Sequence, residues 1–158
     1  MCFLCGTKNS FGLHAKFYEC EKEDGTRVLL TVVTPKEEHQ SYPGLLHGGV
    51  SAAIMDESIG RAANIPFPDI WGVTIDLALK YRKSVPYGEE IYVESRLTKN
   101  SSRGFECTGE LFTRDGVVRV TATGRFIKLK STQITPEGML EENWFYVDEN
   151  LPEEIVVG

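Results

Sequence analysis

The chain has 158 residues, of which 41% are hydrophobic and 25% charged, the proportions of one globular domain with material for a workable core. Its net charge of −6 is a property of the tail: the segment 131–158 holds seven acids and no Lys or Arg, and subtracting these from the 23 acids leaves 16 against all 17 bases. A nearly neutral body carries no electrostatic footprint for nucleic acid and no basic face for a membrane surface, and no run approaches the length needed to cross a bilayer.

The start, Met1-Cys2-Phe3-Leu4-Cys5-Gly6, lacks the basic end and long apolar stretch of a signal peptide, so the cytoplasm is the expected compartment. Cys2, Cys5, Cys20 and Cys107 do not read as a secreted disulfide framework. Cys2 and Cys5 have zinc-ligand spacing, but a second pair is missing, and His14 and Cys20 would complete a site only by accident of folding. Two small, partly buried thiols anchoring an amino-terminal arm is the expectation, with no metal and no cofactor.

Gly12 to Glu21 and Arg27 to Thr34 are β-rich runs separated by the turn signal Asp24-Gly25. Residues Pro35 to Leu46, rich in charge, Pro and Gly, form the loop before a helix. That helix opens at Gly48-Gly49 and runs through Val50-Ser51-Ala52-Ala53-Ile54-Met55-Asp56-Glu57-Ser58-Ile59-Gly60-Arg61-Ala62-Ala63 until Pro66 and Pro68 end it. At about 100° per residue, Gly49, Ala52, Ala53, Asp56, Gly60 and Ala63 share one side, with Asp56 at its centre. Glu57 instead falls with Val50, Ile54 and Arg61, where it can pair with Arg61 one turn on.

The unpaired N–H groups at the glycine end attract an oxygen that is gaining charge, and a carboxylate on a small-residue apolar stripe costs stability unless paired or used. The two features sit two turns apart, roughly 10 Å at about 1.5 Å per residue, too far for both to act on a single carbonyl. Two copies meeting antiparallel about a two-fold axis would bring the glycine end of one to the acid of the other. A catalytic reading therefore calls for a homodimer. The bland alternative is that the glycines let a buried helix begin in a tight space and Asp56 satisfies a neighbouring polar group.

Further along, Val73, Ile75, Leu77, Leu79 and Tyr81 alternate with Thr74, Asp76, Ala78, Lys80 and Arg82, which fits a half-buried strand and puts Thr74 off the main apolar face. Glu90 to Lys99, Gly104 to Thr113 and Val117 to Leu129 read as three more strands, the last two joined at Asp115-Gly116. One helix among consecutive antiparallel strands is the α+β class. The tail turns at Thr135-Pro136-Glu137-Gly138 and carries Trp144-Phe145-Tyr146, too apolar for a simple solvated extension.

His47-Gly48-Gly49, with Asp56-Glu57 seven and eight residues beyond Gly49, resembles the signature of the hotdog-fold thioesterases, in particular their phenylacetate-pathway-like branch. Cys2-Phe3-Leu4-Cys5-Gly6 with Asn9, Gly12 and Leu13 is similar to an amino-terminal signature of many members. Val73 to Leu77 and Tyr81-Arg82-Lys83-Ser84-Val85 resemble the strand after the central helix and its exit. The resemblance implies a hotdog domain over residues 1–130, with 131–158 as an acidic extension. It also implies hydrolysis of acyl-coenzyme A thioesters at the interface of a homodimer, or of a dimer of dimers.

In that family the backbone N–H around the second glycine polarises the thioester carbonyl, and the partner's helix acid acts as nucleophile or general base. Carried over, these are Gly49, with Gly48 beside it, and Asp56. His47 would shape the loop and the oxyanion site, and Thr74 would orient the attacking water. Relatives often carry Asn six residues before the His; here Ser41 stands there beside Gln40, and either side chain can hydrogen-bond the thioester. Arg82 and Arg103 are the candidate contacts for the phosphates of coenzyme A. The rival functions are a non-catalytic acyl-coenzyme A sensor, since the same fold serves ligand-sensing regulators, and a hotdog enoyl-coenzyme A hydratase using His47 with an acid.

Overall fold

The computed structural model describes residues 2–130 together with Gln133, Pro152, Glu154 and Ile155. Strands β1 (Lys16–Glu21) and β2 (Arg27–Val33) precede the helix α1 (Gly48–Arg61), and β3 (Trp71–Tyr81), β4 (Ile91–Asn100), β5 (Gly104–Thr113) and β6 (Val118–Leu129) follow it. They form one six-stranded sheet in the order β1-β2-β4-β5-β6-β3, with every pairing antiparallel. The helix lies across one face of this sheet, which is the hotdog arrangement and the expected α+β class.

Binary patterning explains the layers. Ile54, Met55 and Ile59 of α1 are completely buried against Ile91 and Val93 of β4, Leu111 of β5 and Val120 of β6, within one continuous core. The helix can come this close because the sheet floor is notched beneath Ile59. A Cβ on Gly109 would stand 2.6 Å from Ile59 Cγ2, and one on Gly124 would stand 2.8 Å from Ile59 Cδ1. Both glycines are needed for close approach of a side chain and not for an unusual backbone angle.

Three expectations change at the element ends. β1 starts at Lys16 and not Gly12, because the preceding residues pair with the amino-terminal arm: Leu13 N–H donates to Phe3 O at 2.9 Å and Ala15 N–H to Leu4 O at 2.8 Å. The loop before α1 contains a short 3-10 helix, Glu37–His39, whose buried His39 accepts from Lys36 N–H at Nδ1. After Arg61 the chain tightens into a 3-10 turn, Ala62–Asn64, before the prolines.

The largest correction concerns β3. Strict alternation breaks between Thr74 and Asp76, where the register with β6 shifts and Ile75 has no partner. One extra residue inverts the facing of everything before it relative to everything after it. Thr74 therefore shares the helix-facing side with Leu77 and Leu79, while Val73 and Ile75 are 45% and 56% exposed. The expected extension 131–158, with its Trp144-Phe145-Tyr146 patch and its turn at Pro136, falls outside the described residues apart from the four isolated positions above.

Candidate functional site

Helix α1 and strand β3 build the site between them. Asp56, half-buried midway along α1, accepts a hydrogen bond at Oδ1 from Thr74 Oγ1 at 2.8 Å. Only the bulge at Ile75 lets a residue of Thr74's parity meet the helix. Burial pushes the Asp56 carboxyl above the usual carboxylate range; the Thr74 hydroxyl pulls it down, and the neighbouring Glu57 charge adds to the rise. The result is a carboxylate that accepts a proton more readily than a solvated one and whose Oδ1 is already oriented.

Glu57 points elsewhere, as its place on the helix requires. Its Oε1 accepts from Arg61 Nε at 2.6 Å, one turn on, and Arg61 also stacks over Phe17 with its guanidinium carbon 4.3 Å from the ring centre. Asp56 and Glu57 thus separate into a carboxylate with no ion pair among the described residues and one held by a cation.

The helix start departs from expectation. His47 is the N-cap, and its Nδ1 accepts the Gly49 N–H at 2.9 Å, so the donor expected to receive a substrate oxygen is already taken. Gly48 holds the first helical position, and its N–H finds no partner among the described residues. Its carbonyl accepts from Tyr81 Oη at 2.8 Å, a contact that ties the far end of β3 to the start of the helix. Leu46, Gly48, Ser51, Tyr81, Arg82, Lys83, Ser84 and Val85 line a groove of about 340 Å³ at this point.

Of the expected phosphate contacts, Arg82 lines that groove. Arg103 does not join it: its carbonyl accepts from Lys128 N–H, and Lys128 is paired with Gly72 at the opposite end of β3. Ten residues of strand at about 3.3 Å each put roughly 33 Å between the two ends. Gln40 and Ser41 belong to the loop before α1, where Gln40 Oε1 accepts from Tyr87 Oη at 3.3 Å and Ser41 N–H donates to Leu45 O at 2.8 Å. Sequence reasoning missed Tyr81, which read as part of the apolar face of its strand, and Ser51, to which the helical run gave no role. The only cue was that Tyr81 stands last in its strand, where an apolar ring with a polar tip meets solvent.

A long helix across an antiparallel sheet, carrying a half-buried acid that accepts from a strand hydroxyl and starting beside a groove, is the geometry of a hotdog fold with a candidate ligand site. Residues 43–120, just under half of the chain, match the family model of the thioesterase superfamily. Acyl-coenzyme A thioesterase THEM4 of Rattus norvegicus is 34% identical over 92 residues, 57% of this chain; the match spans 38% of that protein's length. A crystallised thioesterase superfamily protein superposes with a TM-score of 0.66 at 28% identity over 78% of this chain and 61% of its own. A Bacillus halodurans protein crystallised with coenzyme A gives a TM-score of 0.61 at 23% identity, over 72% and 74% of the two chains.

Proposed function

We propose that the chain is an acyl-coenzyme A thioesterase of the phenylacetate-pathway-like branch, hydrolysing an acyl or aryl thioester to the free acid and coenzyme A between two subunits. The observation that carries this reading is the hydrogen bond of 2.8 Å from Thr74 to Asp56 on the central helix of a thioesterase-superfamily domain. The rat relative's name and the coenzyme A held by the Bacillus halodurans neighbour support the substrate class. The amino-terminal Cys2-Phe3-Leu4-Cys5-Gly6 motif supports the branch.

The second subunit follows from reach and from an open edge. Among the described residues β3 pairs only with β6, and it exposes Val73 and Ile75 beside its other edge. Antiparallel pairing of β3 with a second β3 about a two-fold axis covers that edge and brings the helix start of one copy toward Asp56 of the other. The same operation lays the Trp71 end of one strand beside the Tyr81 end of the other. The partner subunit's Arg103 then approaches Arg82 and Lys83, which gives the coenzyme phosphates cations from both chains.

In this assembly the thioester carbonyl oxygen sits at the N-terminus of α1. Gly48 N–H is available there, and Gly49 N–H becomes so when the His47 ring turns aside. Thr74 fixes Oδ1 of Asp56 and leaves Oδ2 to take a proton from water as it attacks the carbonyl carbon. The tetrahedral intermediate expels the coenzyme A thiolate and leaves the free acid. His47 is engaged as a helix cap, which sets this reading above the hydratase one, where it would pair with an acid.

Thiol release from short, medium, long and aryl coenzyme A thioesters tests the proposal. Saturable release from at least one class is expected. Saturable binding of these thioesters with no thiol released would replace it with the sensor reading, and hydration of an enoyl thioester would replace it with the hydratase reading.

A further inference from the structure

The amino-terminal arm brings a cluster of two thiols and a carboxylate together against α1, about 100° around the helix from Asp56. Cys2 Sγ, Cys5 Sγ and a Glu57 carboxylate oxygen all lie within 4.8 Å of one another, and all three residues are partly buried. In the sequence the Cys2/Cys5 pair lacked partners, and neither His14 nor Cys20 joins it in the fold. His14 Nε2 is 2.7 Å from Asn9 O, and Cys20 Sγ donates to Tyr18 O. The third group comes instead from the central helix, 52 positions after Cys5, where no spacing rule would find it.

We propose that Cys2, Cys5 and Glu57 form a binding site for one soft divalent cation, zinc by the chemistry of its donors. Two sulfurs and one carboxylate oxygen are a borderline-soft donor set that suits zinc over calcium or magnesium. Zinc–sulfur bonds of about 2.3 Å in a tetrahedron place two sulfurs roughly 3.7 Å apart, so closure around the ion requires movements of about 1 Å or less. Donors to the ligand atoms are already in place. Leu4 N–H donates to Cys2 Sγ at 3.3 Å, and Arg61 Nη2 donates to Cys5 Sγ at 3.4 Å while its Nε holds Glu57.

Charge closes as well. Two thiolates and a carboxylate bring three negative charges, a divalent cation leaves one, and the Arg61 guanidinium balances it. Binding forms two metal–sulfur bonds and one metal–oxygen bond and releases the thiol protons to solvent, with no change of oxidation state. A fourth position is left to water. The ion would clamp the arm, whose Leu4 is buried in the core, to the residue next to Asp56.

Titration of the reduced full-length protein with cobalt(II), followed by zinc competition and by thermal melting, tests this. The expected result is a thiolate-to-cobalt charge-transfer band that saturates near one ion per chain, is displaced by zinc, and accompanies a rise in Tm. Cys2→Ser and Cys5→Ser should each abolish the band and Cys20→Ser should leave it unchanged. Glu57→Gln should weaken binding by at least the roughly tenfold that even outer partners of a metal site command. Absence of a saturable band in the folded wild-type protein, or a band that survives Cys5→Ser, would overturn the proposal. So would a Cys2–Cys5 disulfide, seen as a mass lower by two hydrogens, that forms while equimolar zinc is present.

Discussion

Replacing Thr74 by Val removes one hydroxyl and keeps the β-branched shape that the strand prefers. The lost bond is the 2.8 Å contact to Asp56 Oδ1, a hydrogen bond to a charged and half-buried acceptor. Bonds to charged groups contribute about 1.5–3 kcal/mol, and the partial exposure of Asp56 argues for the lower end. About 1.4 kcal/mol in a barrier is tenfold in rate, so kcat should fall on the order of tenfold near neutral pH. The pH dependence carries more information. Thr74 lowers the Asp56 pKa while burial and Glu57 raise it, so losing the hydroxyl favours the protonated carboxyl. A base must be deprotonated to work, and the acid limb of the kcat profile should therefore move to higher pH in Thr74→Val, the deficit shrinking as pH rises. Thiol release from 0.1 M salt buffers spanning the acid limb would measure both. An acid limb that stays in place with kcat unchanged would refute the role given to this bond.

Three further outcomes follow from the same geometry. Asp56→Asn should raise Tm at neutral pH, because burial raises the folded-state pKa. Folding then favours the protonated acid, so the wild type loses stability as pH rises from the unfolded carboxylate pKa through the higher folded one. The gain should vanish in melts below that window; a variant less stable than wild type at neutral pH would contradict the desolvation argument. Gly109→Ala should cost about 1–3 kcal/mol in urea unfolding, since its Cβ would stand 2.6 Å from Ile59 Cγ2 and 3.0 Å from the fixed Glu94 carbonyl oxygen. A neutral effect would mean the helix does not rest on that notch. Ile75→Lys should convert a dimer to monomers in sedimentation velocity and abolish thiol release with it, because a charge at the bulge opposes edge pairing. Full activity in a monomeric variant would refute a site shared between subunits.

Helix and sheet were legible because their signals are local and periodic. The i,i+4 pairing of Glu57 with Arg61 and the turn at Asp115-Gly116 appear where the pattern puts them, whereas the fully buried face of α1 is Ser51, Ile54, Met55, Ser58 and Ile59 and the small-residue stripe around Asp56 is only partly covered. The site was legible in its residues but less so in its contacts. Thr74 was expected off the apolar face, because a β-bulge leaves no trace in an alternation count and here reverses it. The Gly49 N–H was expected free, because a capping imidazole two residues back is decided by a rotamer. Arg82 at a strand end and Arg103 in a loop were both candidate phosphate contacts, although the topology sets them at opposite ends of β3. The meeting of Cys2, Cys5 and Glu57 depends on how the arm crosses α1, a long-range contact that no spacing encodes.

The central claim is that Asp56 performs the chemistry on a thioester. The most direct test measures thiol release by wild type and Asp56→Asn on the best coenzyme A thioester, with far-UV circular dichroism and oligomeric state compared in the same preparations. Asn keeps the shape and can still accept from Thr74, so the fold should be retained while turnover falls by a factor on the order of 10²–10⁴, the range that a positioned acid or base contributes. Release at the wild-type rate from a folded, dimeric Asp56→Asn protein would contradict the account.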